Sequence, residues 1–287
     1  ILWGGIGKDE LIGGSGNDAI NGDSGNDTID AGSGNDTIDG GNGNDFITGG
    51  DDNDTIDGGD GADSLTGGSG NDVYLFDTGD VDSGESITEA SSGGTDAVAI
   101  VTTTDFANMT AASFNEIEEI RFAGANQTGT FTGAQLTGET LSLTETASGT
   151  SNLIINVASG TTATFANMTA STFTSGSDTI TISGTTGNET ITGPNIASTI
   201  NAGTGDDNLT GGSANDIIAG GDGADTIDGG GGQDTLTGGA SADIINMGSG
   251  DGVSDTLVLS GINNSDNGDV ISSFVAGSGG DIIDFST

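Results

Sequence analysis

Thirteen aspartates recur every nine residues in two runs: Asp9, Asp18, Asp27, Asp36, Asp45, Asp54, Asp63 and Asp72, then Asp207, Asp216, Asp225, Asp234 and Asp243. Carboxylates arrayed this way among glycines suit a hard, oxygen-loving cation of high coordination number, meaning Ca²⁺. Mg²⁺ fits poorly, because it prefers a stricter octahedron and keeps its waters. Other chemistries are excluded by absence. With no His and no Cys there is no zinc or copper site of the usual kinds, no Ser-His-Asp triad, no cysteine nucleophile and no disulfide. Nothing reads as HExxH or GxSxG, so no enzyme active site is expected.

The charge balance points the same way. Lys8 and Arg121 stand against 44 acids, a formal net charge of −42. Such a chain repels itself unless a cation neutralises it, and it is unsuited to nucleic acid or an anionic membrane surface. It contains no transmembrane run and no visible signal peptide.

The elements that must position these acids can be read from the register. From Gly4 the chain reads GGIGKDELI, GGSGNDAIN, GDSGNDTID, AGSGNDTID, GGNGNDFIT, GGDDNDTID, GGDGADSLT, GGSGNDVYL, with Asp always at position 6. Position 8 is always large and apolar: Leu11, Ile20, Ile29, Ile38, Ile47, Ile56, Leu65, Tyr74. A second block from Ala202 to Asn246 repeats this with Leu209, Ile218, Ile227, Leu236 and Ile245. Upstream, GTTGNETIT and GPNIASTIN keep Ile191 and Ile200 but only Glu189 as an acid, so calcium should be weak or absent there. A glycine-rich turn leading into three strand residues, the middle one pointing inward, predicts short stacked strands. Two nonapeptides make one coil, placing Asp18 over Asp36 and Asp27 over Asp45.

These units match the GGxGxDxUx pattern and resemble the RTX (repeats-in-toxin) family. The resemblance implies an all-β fold, a parallel β-roll in two blocks flanking a calcium-poor, β-rich spacer. It implies Ca²⁺ held by the position-6 aspartates together with Asp255, and by loop carbonyls at Gly14, Gly16, Gly32, Gly34, Gly41, Gly43, Gly59, Gly61, Gly68, Gly70, Gly212, Gly221, Gly223, Gly230 and Gly232, about nine ions in all. Departures are local. Asp52, Ala214 and Ser241 replace the position-4 glycine, and Asp23 replaces one at position 2.

Four regions are expected: a roll block at 1–89, a Ser/Thr-rich spacer at 90–183, a second block at 184–259, and a capping or secretion-like segment at 260–287. The spacer holds a duplication, Phe106-Ala-Asn-Met-Thr-Ala-Ala-Ser-Phe114 and Phe165-Ala-Asn-Met-Thr-Ala-Ser-Thr-Phe173, read as two related units whose Phe and Met form core. Asp269 to Ser286 resembles the segment found after RTX repeats in type I secretion substrates. Ile1-Leu2-Trp3 occupies positions 7 to 9 of a preceding unit, so the chain reads as a fragment of a longer protein, or as repeat ends that meet between molecules.

These features predict an extracellular or cell-surface calcium-binding structural protein: an S-layer, sheath, filament or adhesin component, with copies of itself as partners. The competing reading is the C-terminal export module of a type I-secreted enzyme or toxin. Adhesion to ice or carbohydrate by the roll's outer face is disfavoured, because the outward position 3 (Ile6, Ser15, Ser24, Ser33, Asn42, Asp51, Asp60, Ser69) carries no Thr ladder.

Overall fold

The computed structural model describes residues 1–89, 94–173, 177–248, 253–259, 268–275 and 280–284. The chain forms two compact units, one from Ile1–Phe131, Leu141–Ser151 and Ser171–Phe173, the other from Thr132–Thr140, Asn152–Ala170 and Thr174–Thr287. Both are built from parallel strands, as the repeat predicts.

In the first unit one sheet runs Leu2–Ile6, Ala19–Ser24, Thr37–Asp39, Thr55–Asp57, Val73–Phe76, Ala97–Ile100, Glu119–Phe122, Ser142–Glu145. A second runs Glu10–Ser15, Thr28–Ser33, Phe46–Asp51, Ser64–Ser69, Ser86–Thr88. Consecutive nonapeptides alternate between them, so Ile20 pairs with Ile38 and Ile29 with Ile47. This is the β-roll. Its core is one side chain deep per repeat: from Ile29 to Tyr74 every position-8 residue is at most 1 % exposed.

Several strands are longer than expected, Ala19–Ser24 of the first sheet among them. In the second sheet they continue from position 7 through position 3 of the next unit, as in Thr28–Ser33, where Gly32 pairs with Gly14 and Gly50. Glycine permits this, because a Cβ on Gly32 would overlap the Gly14 carbonyl.

The second unit repeats the plan. One sheet runs Asn152–Asn156, Thr179–Ser183, Thr199–Thr204, Ile217–Asp222, Thr235–Ala240, Thr256–Val258, Ile282–Asp284. The other runs Thr162–Thr164, Thr190–Thr192, Asn208–Thr210, Thr226–Asp228, Ile244–Asn246, Val270–Ser272. Of the expected terminal segment, residues 260–267, 276–279 and 285–287 lie outside the described residues.

Beyond the repeats the coils widen. Ala97 pairs with Val73 and Glu119, and Glu119 with Ser142, so each step takes 22 to 24 residues instead of 18. The added residues bring aromatic side chains inside. Phe106 stacks on Phe131 at 4.5 Å and meets Phe76 and Phe114 edge-on at 5.2 and 6.0 Å. The duplicated segments share one turn, in which the Met109 and Met168 N–H groups donate to the Phe106 and Phe165 carbonyls. They then diverge into a 3-10 turn at Ala111–Phe114 and a strand at Thr169–Ala170. Local likeness does not make them equivalent building blocks. No helix among the described residues is long and apolar enough to cross a membrane.

With so thin a core, Ile47→Ala should cost about 2–5 kcal/mol, while the neighbouring Thr48→Ala should change stability by no more than about 0.5 kcal/mol. Denaturant unfolding in excess Ca²⁺ measures both.

Candidate metal columns

Most position-6 aspartates use their two carboxylate oxygens differently. Oδ1 accepts the backbone N–H of the aspartate one coil earlier: Asp27 from Asp9, Asp45 from Asp27 and Asp63 from Asp45, all at 2.7 Å. On the other side Asp36 accepts from Asp18, Asp54 from Asp36 and Asp72 from Asp54, at 2.7 to 2.8 Å. The second unit repeats this, from Glu189 through Asp207 and Asp225 to Asp243, and from Ser198 through Asp216 to Asp234. These bonds fix the orientation of the carboxylates.

In most of them the other oxygen has no such use. Oδ2 of Asp9, Asp27, Asp36, Asp45, Asp54, Asp63, Asp72, Asp207 and Asp225 is buried without a hydrogen-bond partner. A buried carboxylate oxygen with no donor is costly. It lies close to position 1 of its own unit, where a Cβ on Gly22 would stand 2.6 Å from Asp27 Oδ2, although Ala31 and Ala202 occupy that position in the units of Asp36 and Asp207. Among the described residues no Lys or Arg reaches the columns; Arg121 is held by Glu119 at 2.7 Å. Apart from the Ile1 ammonium, 3.9 Å from Asp18 Oδ1, the donor set is all oxygen, ordered and lacking positive charge, which fits Ca²⁺.

Burial, with repulsion from the next acid in the column, pushes Asp63 and Asp72 up to about 7 and Asp45, Asp54 and Asp225 up to about 6. Without a cation these five carboxylates hold protons more tightly than free ones do.

The loop glycines Gly14, Gly16, Gly32, Gly34, Gly41, Gly43, Gly59, Gly61, Gly68, Gly70, Gly221, Gly223, Gly230 and Gly232 all have positive φ. Asp23, Asp52 and Ser241 keep the same conformation at φ 72, 75 and 91°. The turn carrying Ala214 does not. There Gly212 is outside the left-handed region, and its N–H donates to Asp216 Oδ2 at 2.7 Å. Asp216 Oδ1 also accepts the Ser198 N–H and hydroxyl, at 2.8 and 2.9 Å. Both oxygens of Asp216 are thus satisfied, which sets it and Gly212 apart from the other expected ligands. Glu189 is likewise satisfied, by the N–H groups of Gly160 at 2.8 Å and Thr185 at 3.2 Å.

The columns continue past the repeats. Asp255 accepts the Asp234 N–H at 2.8 Å despite its longer turn. Glu85, Asp96 and Glu118 extend the first unit's columns, and Asp269 and Asp281 the second's, at 2.8 to 3.0 Å. Repeat spacing does not reveal these five. A fainter signal does: each stands two residues before an apolar strand residue (Ile87, Val98, Ile120, Ile271, Ile283), as Asp does in the repeat.

A family model described as RTX calcium-binding nonapeptide repeat (4 copies) matches residues 3–38, 39–74, 183–218, 195–227 and 219–253. No curated protein matches the chain.

In chelator, the raised acid pKa values favour the folded chain at low pH. That stabilisation is complete below about pH 4, the ordinary carboxylate value, and is lost as pH rises through about 6 to 7. Calcium affinity changes in the opposite sense, rising over the same interval, and circular dichroism across pH with and without Ca²⁺ reads both. Asp45→Asn should lower the calcium retained after gel filtration, and Asp216→Asn should leave it unchanged.

Proposed function

The chain belongs to the RTX calcium-binding nonapeptide repeat family, and from that premise we propose that it is an extracellular structural protein that folds and stiffens on Ca²⁺. The role we assign is that of an S-layer, sheath, filament or adhesin component, joined to copies of itself in a lattice or fibre. RTX repeats bind calcium. In this chain the aspartate columns, with the glycine-loop carbonyls, would hold the ions, and the ions supply the positive charge the columns lack. Because Asp216 is satisfied within the protein, we expect fewer than the about nine ions that repeat spacing implies.

One observation carries the structural reading. Within the first unit the acid column runs on from Asp72 to Asp96 and Glu118, while Ala97–Ile100 pairs with both Val73–Phe76 and Glu119–Phe122. Metal-bearing coils and aromatic-cored coils form one continuous ladder. Such continuity suits a building element better than a tag that serves export alone. The reading includes no catalytic role, in keeping with a chain that has no His and no Cys.

Secretion fits the same chemistry. Extracellular modules bind Ca²⁺ at about 10⁻⁴–10⁻³ M. In a low-calcium cell the repeats stay unfolded and exportable, by type I secretion in bacteria; outside they fold. The alternative, an export module of a secreted enzyme or toxin, is favoured by Asp269 and Asp281 joining the columns within the export-like tail.

Adding Ca²⁺ to chelator-stripped protein should give a large gain of β circular dichroism, reversed by EDTA. Electron microscopy of the calcium form should then show ordered sheets or fibres. Dispersed monomers at saturating calcium would favour the export module, and a spectrum indifferent to EDTA would remove both readings.

A further inference from the structure

At the end of the first repeat block three acids converge that the nonapeptide pattern does not bring together. Asp72 is the last position-6 aspartate there, whereas Glu89 and Asp96 lie beyond the nine-residue register. One carboxylate oxygen from each lies within 4.8 Å of the other two. Asp72 is fully buried, and its Oδ2 has no hydrogen-bond partner. That oxygen and Glu89 Oε1 approach one point beside Gly67, where an added Cβ would overlap both. Glu89 is set in place by the N–H groups of Gly67 at 3.1 Å and Gly68 at 3.4 Å, and by the Tyr74 hydroxyl. Asp96 is set in place by the Asp72 N–H at 2.8 Å.

We propose that Asp72, Glu89 and Asp96 form a terminal calcium site, separate from the turn-to-turn sites of the repeat, that fastens the chain leaving the block onto its last coils. It rests on the calcium reading of the columns for the identity of the ion. Three carboxylates this close repel one another, and a hard divalent cation offsets that repulsion while serving the oxygen that has no donor. Calcium's flexible shell accepts an irregular set of oxygens completed by water, where magnesium's octahedron does not. Chain order explains the fastening. Glu89 comes directly after Ser86–Thr88, which pairs with Ser64–Ser69, and Asp96 leads into Ala97–Ile100, which pairs with Val73–Phe76. One ion therefore ties the exit strands of both sheets to the block.

Tyr74 is the sole tyrosine, and Trp3 the sole tryptophan. In the full chain carrying Trp3→Phe, excited to the red of phenylalanine absorption, Tyr74 is the one side chain left to sensitise terbium emission, so Tb³⁺ probes this place directly. Adding Glu89→Gln or Asp96→Asn should lower the tyrosine-sensitised emission and reduce bound calcium by one ion per chain. Amide exchange in Ala97–Ile100 should speed up. Asp96→Asn keeps an acceptor for the Asp72 N–H, so it separates charge from hydrogen bonding and decides the matter if Glu89→Gln misfolds. Variants that retain full emission and the parental calcium count would overturn the site while leaving the repeat sites standing. Exchange unchanged despite the lost ion would overturn the fastening. A parent chain that binds no calcium would remove this site together with the repeat sites.

Discussion

Everything in this protein depends on a carboxylate reaching across one coil to a backbone N–H. The bond from Asp45 to Asp27, repeated along every column, sets the carboxylates at the spacing of adjacent strands. It brings like charges close together in a buried place, and it leaves the second oxygen of most of them with no donor. A column so built is under tension until positive charge enters it. Protons relieve it in acid, and in the function proposed above Ca²⁺ relieves it near neutrality.

In the calcium-dependent folding proposed above, the thin core is the reason the metal matters. Each nonapeptide buries one large side chain, Ile47 or Leu65 for instance, between turns made chiefly of glycine. That is little apolar surface against the entropy of ordering nine residues, six of them in a glycine-rich turn. The wider coils solve the same problem otherwise. Their added residues bring in Phe106, Phe114 and Phe131, whose rings pack against one another while Asp96 and Glu118 continue the acid column into these coils. Both solutions use the same parallel ladder, so the chain passes from one to the other at Val73–Phe76 and Ala97–Ile100 without changing sheet.

Small departures from the repeat have unequal consequences. Asp23, Asp52 and Ser241 tolerate the left-handed turn that glycine normally occupies, so their loops keep the common shape. Ala214 does not adopt it; the loop turns inward, and Gly212 supplies Asp216 with the donor that the other carboxylates lack. Asp216 is thus already satisfied, by Gly212 and Ser198, where most column carboxylates lack a second donor.

Much was legible in the sequence because a nine-residue period states its own geometry. The strand positions, the inward residue at position 8, the stacking of Asp18 over Asp36 and the all-oxygen character of the columns come from local spacing and the absence of His and Cys. Features beyond the period were decided by tertiary contact. Glu85, Asp96, Glu118, Asp269 and Asp281 join columns across gaps of 22 to 26 residues, and intervals that vary leave no periodic trace. The sequence of the duplicated Phe and Met segments likewise foretold their burial but not their divergence, because the path of the chain after each turn depends on the strands it meets. Whether a carboxylate finds a donor or must have an ion is a property of its neighbours in the next coil, and those become neighbours only when the chain is wound.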